Sequence, residues 1–351
     1  MFSRRLFFSE LDWYRLACGE SATEITHRTT ATPDALRTLG VWLTRFSQLG
    51  LGLAAQRRLS RLLVLHLIDR QQVDAFTVML CATLGEPAHA MRSEARDWFF
   101  YRALGHASWS SGRGIRQPLD FPRKAAVEDY LRQESRGILI TSIHMGNYLQ
   151  VLTSLADALR HKTVYLLRRK AVSAEERSTF RQFTDAGMRV EILRHEDRPV
   201  RKAIAALRHG QVVVAMHDLS ARWGATQPIR FCGRQLHWVK GPAQMALAGN
   251  AVTLPIYSHF DTAGVLQVRV RRPQSAARSA AADRPAYVRQ QTKRLAAFAE
   301  AEIRRHPAQW HHWRLLHEMA CATFSAPSAD PDPSPATPPE AVPDACPPTT
   351  F

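Results

Sequence analysis

Residues 137–148 read GILITSIHMGNY, from Gly137 to Tyr148. The run 137–143 is apolar and β-branched with no helical period, so it predicts a short strand buried on both faces. Gly146 and Asn147 then turn the chain. The spacing of apolar residues over 148–159 predicts a helix. A strand, a polar turn and a helix in that order are the first units of a βαβ fold.

The same rhythm continues toward the C-terminus. Strands are predicted at 163–167, 189–193, 211–217, 251–259 and 266–271, with helices at 174–186, 199–209, 240–248 and 285–305. This alternation predicts an α/β fold, with a mainly parallel sheet flanked by helices. Ligands of such sheets bind beyond the carboxyl ends of the strands. His144 follows the first strand, Arg168-Arg169-Lys170 the second, and Asp218 the strand at 211–217. A histidine, a basic cluster and a carboxylate are therefore expected along one sheet edge. The ordinary histidine pKa lies near neutrality, so His144 has the chemistry of a general base, and the N–H groups opening the next helix can meet a developing oxyanion. The plain alternative is a histidine that bonds a backbone carbonyl at the strand end.

On the N-terminal side, residues 1–110 predict a mostly helical region. Residues 36–70 repeat apolar side chains at three- and four-residue intervals with arginines between them. Two readings fit: a core helix pair with solvated arginines, or interfacial helices whose arginines meet lipid headgroups. The N-terminus lacks the apolar core of a secretory signal, and no run reaches the roughly 20 apolar residues of a membrane span. The expectation is a soluble or peripheral protein. Residues 325–351 hold nine of the 20 prolines, which predicts a disordered Pro-rich tail.

The net charge is +16, and residues 325–351 hold four acidic and no basic residues, so the rest of the chain is more positive still. Such a body suits a polyanion: nucleic acid, an anionic membrane surface or a phosphorylated substrate. Aromatic residues are scarce in the basic segments, so nucleic acid is not expected as a partner. The five cysteines are isolated, without CxxC spacing, which argues against a disulfide framework and a zinc site. His306, His311 and His312 lack metal spacing, and no metal is predicted. Trp310 and Trp313 suit packing or an interface better than catalysis.

His144-Met145-Gly146-Asn147-Tyr148 resembles the HFGNW core of the lipid A lauroyl/myristoyl acyltransferase family, which also includes mycobacterial mannoside acyltransferases. Three further segments match it in order. Residues 212–218 with Pro228-Ile229-Arg230-Phe231-Cys232-Gly233 resemble the strand-Asp and PFFG elements. Lys240-Gly241-Pro242-Ala243-Gln244-Met245-Ala246-Leu247-Ala248 resembles the GPAxLA helix, and residues 306–314 resemble the closing PEQYxWxHRR. The resemblance implies an acyltransferase-like α/β domain, placed here at 111–320. It also implies transfer of a fatty acyl group from an acyl-carrier-protein or coenzyme A thioester to a hydroxyl (or amine) of a glycolipid or other lipid-like acceptor. The thioester is a co-substrate and no other cofactor is expected. His144 would be the base; Asp218, expected on the same sheet edge, is the candidate carboxylate beside it, and Gly146, Asn147, Arg168, Arg169, Phe231 and Lys240 are the candidate substrate-binding residues. Phe231 is expected beneath the acyl groove and Lys240 beside an anion or in solvent. The expected setting is peripheral, at the cytoplasmic face of the bacterial inner membrane.

The chain departs from the family pattern at several points. The family has His-x4-Asp/Glu, whereas the fifth residue after His144 is Leu149. Leu166 stands after Tyr165 where the family often has Arg, and its Asp-Gln is Asp218-Leu219. The membrane-spanning N-terminal helix common in the family is not expected. Three readings remain open: Asp218 serves His144 instead, the acceptor is an amine or thiol that needs less activation, or catalysis is impaired and the protein binds acyl carriers or lipids at the membrane.

Overall fold

The computed structural model describes residues 32–68, 70–110, 117–167, 174–193, 199–275, 283–313 and 315–320. The tail predicted at 325–351, residues 1–31, and Arg168 and Arg169 lie outside the described residues. Four helices open the described chain: α1 (Thr32–Gln48), α2 (Leu53–Leu67), α3 (Arg70–Leu84) and α4 (Ala88–Ser110). Each buries an apolar stripe, for example Leu36, Leu39 and Leu43 on α1 and Trp98 on α4. Asp97 of α4 accepts a two-pronged bond from Arg61 of α2 at 2.6 and 2.7 Å, and Arg57 lies 3.2 Å from the same carboxylate.

The sheet that follows is mainly parallel. Its strands are β1 (Leu119–Asp120), β2 (Ile138–Ser142), β3 (Thr163–Leu167), β4 (Arg189–Leu193), β5 (Val212–Met216), β8 (Val252–Phe260) and β9 (Leu266–Val270), in the order β1-β9-β8-β2-β5-β3-β4. The central strands β2 and β8 are buried at every position, because helices cover both faces. At the edge, β4 alternates exposed with more buried residues, as expected of a half-solvated strand. Successive residues separate two cores. Ile138 and Ile140 join one cluster with the N-terminal helices, while Leu139 joins another with Ala203, Leu207 and Ala246. Gly137 is needed where the strand begins, since a Cβ there would lie 2.1 Å from the Leu207 carbonyl oxygen.

Four features lay beyond the sequence reading. First, β9 runs antiparallel to β8, as does the short β10 (Gln274–Ser275). Second, β1 and the helix α5 (Lys124–Gln133) precede β2. Third, the turn read at Phe231-Cys232-Gly233 is the tip of a hairpin, β6 (Thr226–Phe231) with β7 (Arg234–Val239). Cys232 and Gly233 sit at φ 49° and 77°, the two positive values of a type I′ hairpin turn. Finally, the helix predicted at 148–159 is two pieces, α6 (Tyr148–Ser154) and α7 (Ala156–Leu159). The Thr153 and Ser154 hydroxyls donate back to the Gln150 and Val151 carbonyls at 3.0 and 2.7 Å, which competes with the helix ladder at the break.

The remaining helices are α8 (Ala174–Asp185), α9 (Pro199–Arg208), α10 (Gly241–Ala248), α11 (Arg284–Arg305) and α12 (Leu315–Ala320). No helix among the described residues is long and apolar enough to cross a membrane.

Candidate active site

Strands β2 and β5 are parallel neighbours whose register pairs Ser142 with Met216. Two residues further along each strand come His144 and Asp218, so the same register carries both to the carboxyl edge of the sheet. There the His144 Nδ1 lies 2.8 Å from Asp218 Oδ1, and the His144 backbone N–H donates to Oδ2 at 2.8 Å. Trp310, from the segment after α11, donates its indole N–H to the same Oδ2 at 2.8 Å. Asp218 is fully buried. Burial alone would raise its pKa, but the facing imidazoles of His144 and His312 and the donors from His144 outweigh it and hold the carboxyl well below the usual range.

An ionised carboxylate accepts only, so it assigns the proton of His144 to Nδ1 and leaves Nε2 with its lone pair. That is the tautomer of a histidine base oriented by an aspartate. His312 stacks on the His144 ring, centroids 3.8 Å apart and 27° between planes, and its Nδ1–H donates to the Asp218 carbonyl at 3.1 Å. His311 donates its backbone N–H to the His144 carbonyl at 2.9 Å. The chain on both sides of the pair is thereby tied to the closing segment. Trp310 is held in turn by Trp98, whose Nε1 donates to the Trp310 carbonyl at 2.8 Å, and by the edge-on Trp313 ring at 4.9 Å.

His144 faces a cavity of about 910 Å³, within the range of pockets that hold small-molecule ligands. Its walls are mostly apolar and include Leu104, Leu149, Leu166, Val214, Met245 and Phe260. Gly146 and Asn147 line it as well. Gly146 adopts φ +62°, and a Cβ there would lie 2.4 Å from the Ser258 carbonyl oxygen, so only glycine fits. Asn147 caps α6, its side-chain oxygen accepting the Gln150 N–H at 3.2 Å. Leu149, at the family's carboxylate position, is part of the apolar wall, while the Gln150 side chain brackets the backbone of Gln117.

The other expected substrate residues are set apart from this wall. Phe231 is buried one layer back, stacked on Trp238 at 5.2 Å and tilted against Trp310 at 6.0 Å. Lys240 is the N-cap of α10, whose Gly241 and Pro242 reach the cavity. Trp310, His312 and the cavity residues Tyr101, Arg102, Arg222 and Glu318 were not singled out for the site from sequence. Arg222 and Glu318 form an ion pair at 2.9 Å, and Ser220 donates to Glu318 at 2.7 Å. His144, Asp218 and His312 each offer one possible metal-ligand atom, all within 4.8 Å of one another. In this arrangement the Nδ1 atoms of His144 and His312 are engaged by Asp218, through its carboxylate and its backbone carbonyl.

Comparison with known proteins adds one finding. A family model described as bacterial lipid A biosynthesis acyltransferase matches residues 100–317, more than half of the chain. No curated protein matches.

Proposed function

We propose that this chain, which belongs to the bacterial lipid A biosynthesis acyltransferase family, moves a fatty acyl group from a thioester to a hydroxyl or amine of its acceptor, with His144 as general base. The family supplies the coarser statement: an acyltransferase that acts on lipid-like acceptors. The donor is a thioester of an acyl carrier protein or coenzyme A. The cavity beside His144 receives the acyl chain, and its apolar wall suits that cargo.

The steps follow from the tautomer. His144 Nε2 takes the hydroxyl proton as the oxygen attacks the thioester carbonyl, forming a tetrahedral intermediate. The C–S bond then breaks, and the imidazolium returns its proton to the departing thiolate. Asp218 stays ionised throughout and offsets the charge on His144. The observation that carries this reading is the 2.8 Å contact between His144 Nδ1 and Asp218, because it supplies the carboxylate that Leu149 cannot. The net charge of +16 suits an acidic carrier protein and peripheral attachment at the cytoplasmic face of the inner membrane.

The test is incubation of the protein with lauroyl thioesters of acyl carrier protein and of coenzyme A, plus a bacterial lipid extract. Mass spectrometry should find an acceptor heavier by one acyl group and a free thiol released in equal amount. Thioester binding without any acylated product would leave a protein that binds acyl carriers or lipids without catalysis.

A further inference from the structure

The N-terminal helices bury one face in the core and leave another uncovered by any described residue. Eight large hydrophobic side chains are exposed among the described residues. Five of them, Val41, Trp42, Leu49, Leu59 and Leu62, belong to α1, α2 and the turn between them. Their spacing is helical. Positions 38, 41, 42 and 45 form the exposed face of α1, and 58, 59, 62 and 66 that of α2. The turn between the helices carries Leu49, 76% exposed, and a Cβ added at Gly50 or Gly52 would meet nothing within 4 Å. The two helices thus form a core pair on one side and, on the other, present an apolar surface that no described residue covers.

Charge decides what that surface fits. Residues 35–68 contain no Asp or Glu and five arginines: Arg37, Arg45, Arg57, Arg58 and Arg61. Arg57 and Arg61 are engaged by Asp97. Arg45 and Arg58 are exposed beside the apolar residues, and the Arg45 guanidinium lies over the Trp42 ring at 5.4 Å. Exposed leucines at a turn, an indole with a cation on its face and no acid between Asp34, in the first turn of α1, and Asp69, just past α2, make up the composition of an interfacial membrane hairpin.

We propose that the α1–α2 hairpin seats on an anionic lipid bilayer. Leu49, Trp42, Leu59 and Leu62 enter the headgroup boundary, and Arg45 and Arg58 meet lipid phosphates. The docking site has a consequence for the acyltransferase reading, on which this part rests. Leu53, just past the turn, packs against Gly264, where an added Cβ would lie 2.6 Å from the Leu53 Cβ. Gly264 is in the turn that joins β8 to β9, and Phe260 at the end of β8 lines the cavity and stacks on Tyr101 at 5.9 Å. Docking through the hairpin thus sets the cavity close to the bilayer from which a lipid acceptor comes.

The experiment is sedimentation of the full chain with vesicles of phosphatidylglycerol and phosphatidylcholine, and with phosphatidylcholine alone, at low and high salt. Two double variants are compared, Leu49→Ser with Leu62→Ser, and Arg45→Glu with Arg58→Glu. Partition to anionic vesicles should fall about tenfold or more in each variant, and in the wild type it should fall with salt. Acyl transfer to a detergent-solubilised lipid extract should stay at the wild-type level, because these residues lie outside the active site. Unchanged partition in both variants overturns the proposal. So does a concentration-dependent dimer that these substitutions dissolve while vesicle binding persists. Loss of vesicle binding together with absent transfer in the wild type would support docking and count against the transferase reading alone.

Discussion

Trp310 donates its indole N–H to Asp218 Oδ2 at 2.8 Å, across a sequence separation of 92 residues. The bond joins the closing segment of the chain to the carboxylate that orients His144. One oxygen of Asp218 thus takes two donors, Trp310 Nε1 and the His144 backbone N–H, while the other faces the His144 ring.

Trp310→Phe keeps a buried aromatic ring and removes that donor. A buried carboxylate that loses a hydrogen bond is destabilised by roughly 1.5–3 kcal/mol. The expected result is a kcat about tenfold lower with little change in KM, and a lower melting temperature. Steady-state transfer kinetics with thermal unfolding read both. Wild-type kcat would show that Trp310 only fills space.

Leu149→Glu writes the family's carboxylate back into the chain, yet it should not help. The proton on His144 Nδ1 is already accepted by Asp218, and Leu149 belongs to an apolar cavity wall. A charge there without a partner costs several kcal/mol or titrates away. Transfer of long acyl chains should drop about tenfold or more, and the same change should fail to restore Asp218→Asn. Rescue of Asp218→Asn, measured as product per hour, would contradict the assignment of the carboxylate.

Gly146→Ala places a methyl group against the Ser258 backbone in a left-handed conformation, φ +62°. The nearest atoms, the Ser258 carbonyl oxygen at 2.4 Å and carbon at 2.6 Å, are backbone, so the loop must shift. Denaturant unfolding should show a loss of about 3 kcal/mol or more, from clash and backbone strain together. A loss below about 1 kcal/mol would mean the loop yields freely.

Three histidines, His217 and His259 buried and His306 half-buried, predict an acid-sensitive fold. Burial pushes His217 down to about 4. It does the same to His259 and His306, which stack 3.8 Å apart beside Arg269 and Arg305. All three are neutral in the folded state, while the unfolded chain binds their protons below the ordinary value near 6.5. Stability is therefore fully present above about pH 6.5 and is lost as the pH falls toward about 4, at up to about 1.4 kcal/mol per pH unit for each histidine. The lowered pKa of Asp218 acts in the same direction only further down, below the ordinary carboxylate range. Unfolding free energies at a series of pH values check this, and His259→Phe, which keeps the stack, should shallow the slope. An equal slope in the variant would exclude His259 as a source.

Much of the fold was legible because buried parallel strands leave an unmistakable mark. The strands at 163–167 and 189–193 match residue for residue, and the others differ by about a residue at their ends. The antiparallel pairing of β8 with β9 was not legible, since pairing direction leaves no trace in an apolar run. Within the site, His144 and Asp218 could be found because each ends a strand on one edge. Their contact depends on the register of β2 with β5, which only the folded sheet supplies. Trp310 reads from sequence as a packing residue and His312 only as a residue without metal spacing, because they reach the site from a distant segment whose local spacing signals only packing.

The most direct measurement is thioester-dependent acyl transfer by wild type, His144→Ala and Asp218→Asn, followed by mass spectrometry of the lipid product. Both variants should fold, and unfolding melts on the same samples would verify it. The account predicts no turnover above background for His144→Ala, and a loss of roughly 10²-fold or more for Asp218→Asn, the penalty for a histidine base without its orienting carboxylate. Full activity in His144→Ala would contradict the mechanism.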